Sequence, residues 1–189
     1  MLGTLTFTTM LYTMTVMIAN VALPKIQGTF AATPDQIALI ITFNIVATAV
    51  VTPASGWLAS RFSRRNLLIC CVSGFIVSST LCGASQSLEQ LIIFRILQIS
   101  MAMVLDTFNK SEHGTVSAIY GMGVVFGPII GPTVGGFLSE ELGWRWVFFL
   151  LVPFGIAVLI AIISIIDDKS KARSLKLDWT GLISLCIGI

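Results

Sequence analysis

Residues 121–137 read GMGVVFGPIIGPTVGGF. Gly123, Gly127, Gly131 and Gly135 recur every four residues, and Pro128 and Pro132 follow two of them at the same interval. Residues four apart share one face of a helix, so these glycines form a smooth strip against which another backbone packs closely. In water the stretch is a poor helix, because an interior Gly costs about 1 kcal/mol and an interior Pro about 3 kcal/mol relative to Ala. In a bilayer no water competes for the backbone, helix is enforced, and small residues become packing surface. The stretch therefore predicts a membrane helix.

Composition agrees. The chain is 56% hydrophobic and 11% charged, against about 25% charged in a soluble domain. Its charges lie between long apolar runs, as a hydrocarbon core needing about 20 residues per crossing requires. The net charge of +2 and the lack of a basic cluster interleaved with exposed aromatics exclude a nucleic-acid partner. Cys70, Cys71, Cys82 and Cys186 sit in or beside apolar runs without metal-ligand spacing and read as small apolar residues. No metal and no cofactor are expected. The first run lacks a basic leader and continues into further apolar runs, so it reads as a first span and not a cleavable signal.

The predicted fold is all-α: a polytopic transmembrane helical bundle of six spans plus the start of a seventh. The spans cover about 2–23, 37–59, 67–84, 88–105, 114–138 and 146–166, so residues 1–166 make an amino-terminal six-helix unit. The first span is expected to end at Pro24, and Thr33-Pro34-Asp35 marks a helix start. The fourth reaches Asp106 about 27 Å from its start, marginal against a core of about 30 Å. Trp144, Trp146, Phe148 and Phe149 suit an interfacial aromatic belt. Residues 167–178 form a charged cytoplasmic loop, and 179–189 open an apolar run too short to span, which reads as part of something longer. Arg61, Arg64, Arg65, Lys110, Lys169, Lys171, Arg173 and Lys176 fall on one side, and Lys25 and Arg145 on the other. The positive-inside rule then makes the N-terminus cytoplasmic.

Several motifs in register resemble a known family. Residues 56–65 (GWLASRFSRR) look like the loop signature of the major facilitator superfamily, and Arg95-Ile96-Leu97-Gln98 looks like its RxxQ element. Residues 123–136 resemble the "antiporter motif" of its drug-efflux branch. Residues 19–24 (ANVALP), 144–148 (WRWVF) and 177–181 (LDWTG) match landmarks of the fourteen-helix drug:proton antiporters. The resemblance implies a multi-pass protein of the cell (inner) membrane and not an enzyme. Its partners would be the lipid bilayer, a small hydrophobic or cationic substrate, protons, and a carboxy-terminal half missing from this sequence. The alternative is a non-transporting membrane protein that packs with other helices.

The resemblance also implies roles for single residues. Gly56, Arg61, Arg64 and Arg65 would form a conformational lock, in which Ser60 and Ser63 replace the usual acid and glycine. Arg95 and Gln98 occupy the proton-coupling element, although Arg95 also reads as a side chain snorkelling to the headgroups. Thr15 stands where the subfamily carries a first-span carboxylate; it is not titratable near neutral pH and reads equally as a hydroxyl bonded to its own i−4 carbonyl. Gly123, Gly127, Pro128, Gly131, Pro132, Gly135 and Gly136 make a packing strip, whose partner in the functional reading is the second half. Asn20 and Asn44 are substrate-cavity candidates or inter-helix glue. His113, with Asp106 and Glu112, reads as a solvated loop and not a catalytic cluster.

Overall fold

The computed structural model describes residues 2–61, 64–107 and 114–165, with side-chain surroundings for 7–8, 10–52, 55, 57–58, 65–102 and 125–164. Ser63, Glu112, His113, the charged loop 167–178 and the seventh run 179–189 lie outside the described residues. So do the side chains of Gly56, Arg61, Arg64 and Asp106 and the surroundings of Gly123. The described chain is all-helical: α1 (Leu2–Phe30), α2 (Pro34–Arg61), α3 (Arg64–Ala84), α4 (Leu88–Thr107), α5 (Gly114–Glu141) and α6 (Trp144–Ile165). Three of these contain stretches apolar and long enough to cross a membrane, Pro34–Thr52, Arg65–Ala84 and Trp144–Ser164.

The first helix does not stop at Pro24. A proline removes only the bond to the carbonyl four residues back, here that of Asn20, and both residues are exposed. Tertiary contacts hold the extra turns: Ile26 is buried, Trp144 Nε1 donates to Thr29 Oγ1 at 3.0 Å, and the Phe30 and Trp144 rings lie 5.6 Å apart. The helix closes on a Schellman turn. Ala31 has φ +48° and the Ala32 amide donates to the Gln27 carbonyl at 3.1 Å. Helix α2 starts at the expected Pro34, under a capping box in which the Thr33 amide donates to Gln36 Oε1 at 3.0 Å and the Gln36 amide to Thr33 Oγ1 at 3.4 Å. The expected basic loop shrinks, because α2 runs to Arg61 and α3 begins at Arg64. The fourth helix runs two residues past its expected end, so its 20 residues reach about 30 Å.

Helix α1 is central, packing on α5, α6 and α4; α3 packs on α4 and α6, and α2 mainly on α4. Exchanging α1–α3 with α4–α6 preserves the main neighbours: α1 with α5 becomes α4 with α2, α1 with α6 becomes α4 with α3, and α3 with α6 maps onto itself. The bundle is thus two three-helix units in the manner of an inverted repeat. The α3–α6 pair carries this symmetry in detail. A Cβ on Gly83 would meet the Phe149 ring at 2.8 Å, and one on Gly155 would meet Ile76 Cγ1 at 2.8 Å. Arg65, in the first turn of α3, donates to the Ile163 carbonyl in the last turn of α6 at 3.2 Å. Arg145, in the first turn of α6, donates to the Ser85 carbonyl just past α3 at 3.0 Å and lies 4.5 Å from the Trp144 ring centroid. Each arginine meets the negative end of the opposite helix.

A left-handed residue with a Cβ costs about 1–2 kcal/mol, part of which glycine returns through its looser unfolded chain. Ala31→Gly should therefore raise the melting temperature of the purified protein in detergent, by an increment worth about 0.5–1 kcal/mol. A lowered melting temperature would contradict the left-handed cap.

Candidate functional site

The site is built around Arg95, on the inward face of α4 and 1% exposed. At that burial it does not snorkel, and the headgroup reading gives way to an internal one. Its Nη1 donates to Gln98 Oε1 at 2.8 Å and to the Thr15 carbonyl at 3.4 Å; Gln98 Nε2 in turn donates to Ser79 Oγ at 2.7 Å. The spacing of three between Arg95 and Gln98 puts both on one face, as the sequence implied. Helix α1 supplies the backbone of Thr15, and α3 supplies Ser79. From α6, the Phe148 ring centroid lies 5.7 Å from the guanidinium carbon, within cation–π range. Arg95 Nε and Nη2 are buried and have no hydrogen-bond partner. Among the described residues no buried polar group is a carboxylate. Asp35, Glu89, Glu140 and Glu141 are all exposed near helix ends.

Thr15 joins this network through its carbonyl. Its hydroxyl donates to the Leu11 carbonyl at 2.6 Å, the i−4 bond that a buried helical threonine makes to satisfy itself. Ser79 was not singled out from the sequence, and Phe148 only as a belt residue. Ser79 left a weak signal, one of two adjacent serines inside an apolar span. Phe148 left a misleading one: it and Trp144 are buried inside the bundle, and of the four proposed belt residues Trp146 alone is exposed.

Beside this network lies an open cleft of about 390 Å³ between α1, α2 and α4. Tyr12 and Val16, Asn44, Ile45 and Thr48, and Ile99 line it. Val16 and Ile99 directly follow Thr15 and Gln98 in the chain, so the cleft wall and the arginine network are successive residues of the same helices. Asn44 belongs to the cleft, and its Oδ1 is buried without a partner. Asn20 does not: it is exposed on α1 and absent from the cleft wall.

The glycine strip faces a different neighbour from the one expected. A Cβ on Gly127 would strike the Thr13 side chain and come within 3.0 Å of the Met14 amide. On Gly131 it would meet Met17 Cβ at 3.4 Å, and on Gly135 it would strike the Ile18 side chain and reach Ile18 Cα at 3.3 Å. On Gly136 the nearest atom is Val21 Cγ1 at 3.7 Å. Gly127, Gly131 and Gly135 therefore seat α5 on α1 of the same bundle and are not free to meet a second half. Pro128 and Pro132 are half-buried within the continuous helix. Phe126, Ile129, Thr133 and Phe137 remain exposed on α5. Of the lock residues with described side chains, Arg65 caps α6 as above.

An inverted three-plus-three helical bundle around a buried guanidinium is the architecture of a polytopic membrane protein. The sequence pattern of the Major Facilitator Superfamily matches residues 5–185, and the chain belongs to that superfamily. It is accordingly a multi-pass protein of the inner membrane. It is similar to the multidrug export protein EmrB of Haemophilus influenzae (37% identical over 91% of this chain) and to that of Escherichia coli (34% over 91%), and it spans 36% of the length of each. It also superposes on a solved bacterial homolog of the human lysosomal transporter Spinster in an inward-facing, unoccupied conformation. That match has a TM-score of 0.73 and 24% identity, covers 96% of this chain and 45% of the other, and supports the fold alone.

Inserting a methyl group into a closed contact costs about 1–3 kcal/mol. Gly135→Ala should destabilise the bundle by that amount, whereas Gly136→Ala should be nearly neutral because ordinary van der Waals space is available there. Thermal unfolding of the two variants side by side is the measurement, and equal effects would place the α1–α5 contact elsewhere.

Proposed function

We propose that residues 1–166 form the amino-terminal half of a proton-coupled exporter of hydrophobic small molecules. In this reading six spans cross the inner membrane with the N-terminus in the cytoplasm, residues 167–178 are a cytoplasmic loop, and 179–189 begin a further span. A second six-helix half would complete the transporter, and the two halves would rock about a midplane site. The chain's share of its exporter relatives' length supports this division. The function is vectorial movement of an unmodified solute, not bond-making chemistry.

The observation that carries the proposal is Arg95. A charge inside a span costs about 2.5–3.5 kcal/mol or more, so a buried arginine with no carboxylate partner among the described residues is not explained by stability. We assign it the coupling role, with Gln98 and Ser79 orienting it. Thr15 serves as a backbone acceptor. The alternative of a non-transporting helical bundle leaves an unpaired Arg95 without a use.

Proteoliposomes distinguish the two. A protein carrying this segment at its relatives' full length should show substrate-dependent proton flux, and residues 1–189 alone should show none. In the full-length protein Arg95→Ala should lower flux at least about tenfold, equivalent to about 1.4 kcal/mol, with Arg95→Lys less impaired. Undiminished flux in Arg95→Ala would remove the arginine from the mechanism.

A further inference from the structure

We infer that the cleft between α1, α2 and α4 selects hydrophobic organic anions, and that the unpaired charge of Arg95 sets this preference. The inference rests on the export reading for its biological meaning, but not for its test. Three observations support it. The cleft, at about 390 Å³, falls within the range of small-molecule pockets and is walled mainly by apolar groups. Arg95, one helical turn before the cleft-wall residue Ile99, is 1% exposed, and its Nε and Nη2, with three N–H donors between them, have no acceptor among the described residues. Finally, the described residues supply no buried carboxylate to cancel that charge, since every described acid is exposed.

Burial makes the charge felt at a distance. Ion pairs in a low-dielectric interior are far stronger than in water, and salt does not screen them as it screens surface charges. A hydrophobic cation entering the cleft would face an unopposed positive field and, among the described residues, no buried acid. A hydrophobic anion of the same shape would supply the missing countercharge without direct contact. The polar groups at the wall fit either ligand: the Asn44 amide presents a donor and an acceptor, and Thr48 Oγ1 already donates to the Asn44 carbonyl at 2.9 Å. Charge selection therefore falls to Arg95.

Tetraphenylborate and tetraphenylphosphonium are nearly identical in size and shape and opposite in charge. Their binding to the full chain in lipid nanodiscs, corrected by empty discs, should favour the borate by at least tenfold. Arg95→Gln should reduce that ratio to near one, and Arg95→Lys should restore most of it. If Arg95→Gln fails to fold, Asn44→Asp, nearly isosteric and in the cleft wall, should invert the ratio. A ratio that favours the phosphonium, or one unchanged by a folded Arg95→Gln, overturns the inference, as does an Asn44→Asp variant that leaves the ratio unchanged. Binding of neither probe overturns it as well. An Arg95-dependent ratio in a full-length protein that moves neither ion sinks the export reading and leaves the inference standing.

Discussion

Helix α1 can serve three neighbours because α5 meets it without side chains. Gly127, Gly131 and Gly135 allow the α5 backbone to reach the Met14 and Ile18 backbone, and this close contact frees the rest of the α1 circumference. Another face then packs on α6, through Thr29 against Trp144, and a third presents the Thr15 carbonyl to Arg95. Larger residues on the strip would push α5 outward and open the bundle around the buried charge. In lipid, where apolar surfaces gain little by meeting one another, such small-residue contacts and internal hydrogen bonds are the main source of helix association.

The arginines with described side chains divide into two kinds. At the helix ends, Arg65 and Arg145 each donate to a carbonyl of the opposite helix, so the antiparallel α3–α6 pair is closed at both ends by the same device. Those charges neutralise helix ends and have an evident structural use. At mid-bundle, Arg95 has acceptors for one nitrogen and none for the other two. A stability role accounts for the first kind. In the proposed reading, the second kind is a charge available to a group that no described residue supplies.

Much of the fold was legible in the sequence, because its signals were local. The start at Thr33-Pro34 is a capping box and needs no partner, and the six apolar runs correspond to six helices. Failures came where a local signal was overridden. Pro24 ended nothing, because its missing hydrogen bond falls on an exposed face while Ile26 and Thr29 remain engaged. Trp144 and Phe148 looked like an interfacial belt because composition cannot tell an aromatic at a membrane surface from one pointing into the bundle. Within the candidate site, Arg95 and Gln98 were legible from their spacing, but Ser79, one of several span serines, had no mark of its own. Asn20 and Asn44 were indistinguishable until α2 and α4 enclosed one of them in a cleft.

From its residues alone, this chain is bound to a bilayer and to helices. Its apolar runs leave no water for the backbone, and the period of its glycines defines one smooth helical face. Those are properties of single segments. Periodicity states which residues share a face but not what that face meets. Only the tertiary structure decided that the glycine strip rests on α1, that Arg95 turns inward to Gln98, Phe148 and the Thr15 carbonyl, and that no described acid reaches it. Each of those facts depends on the relative placement of helices distant in the chain.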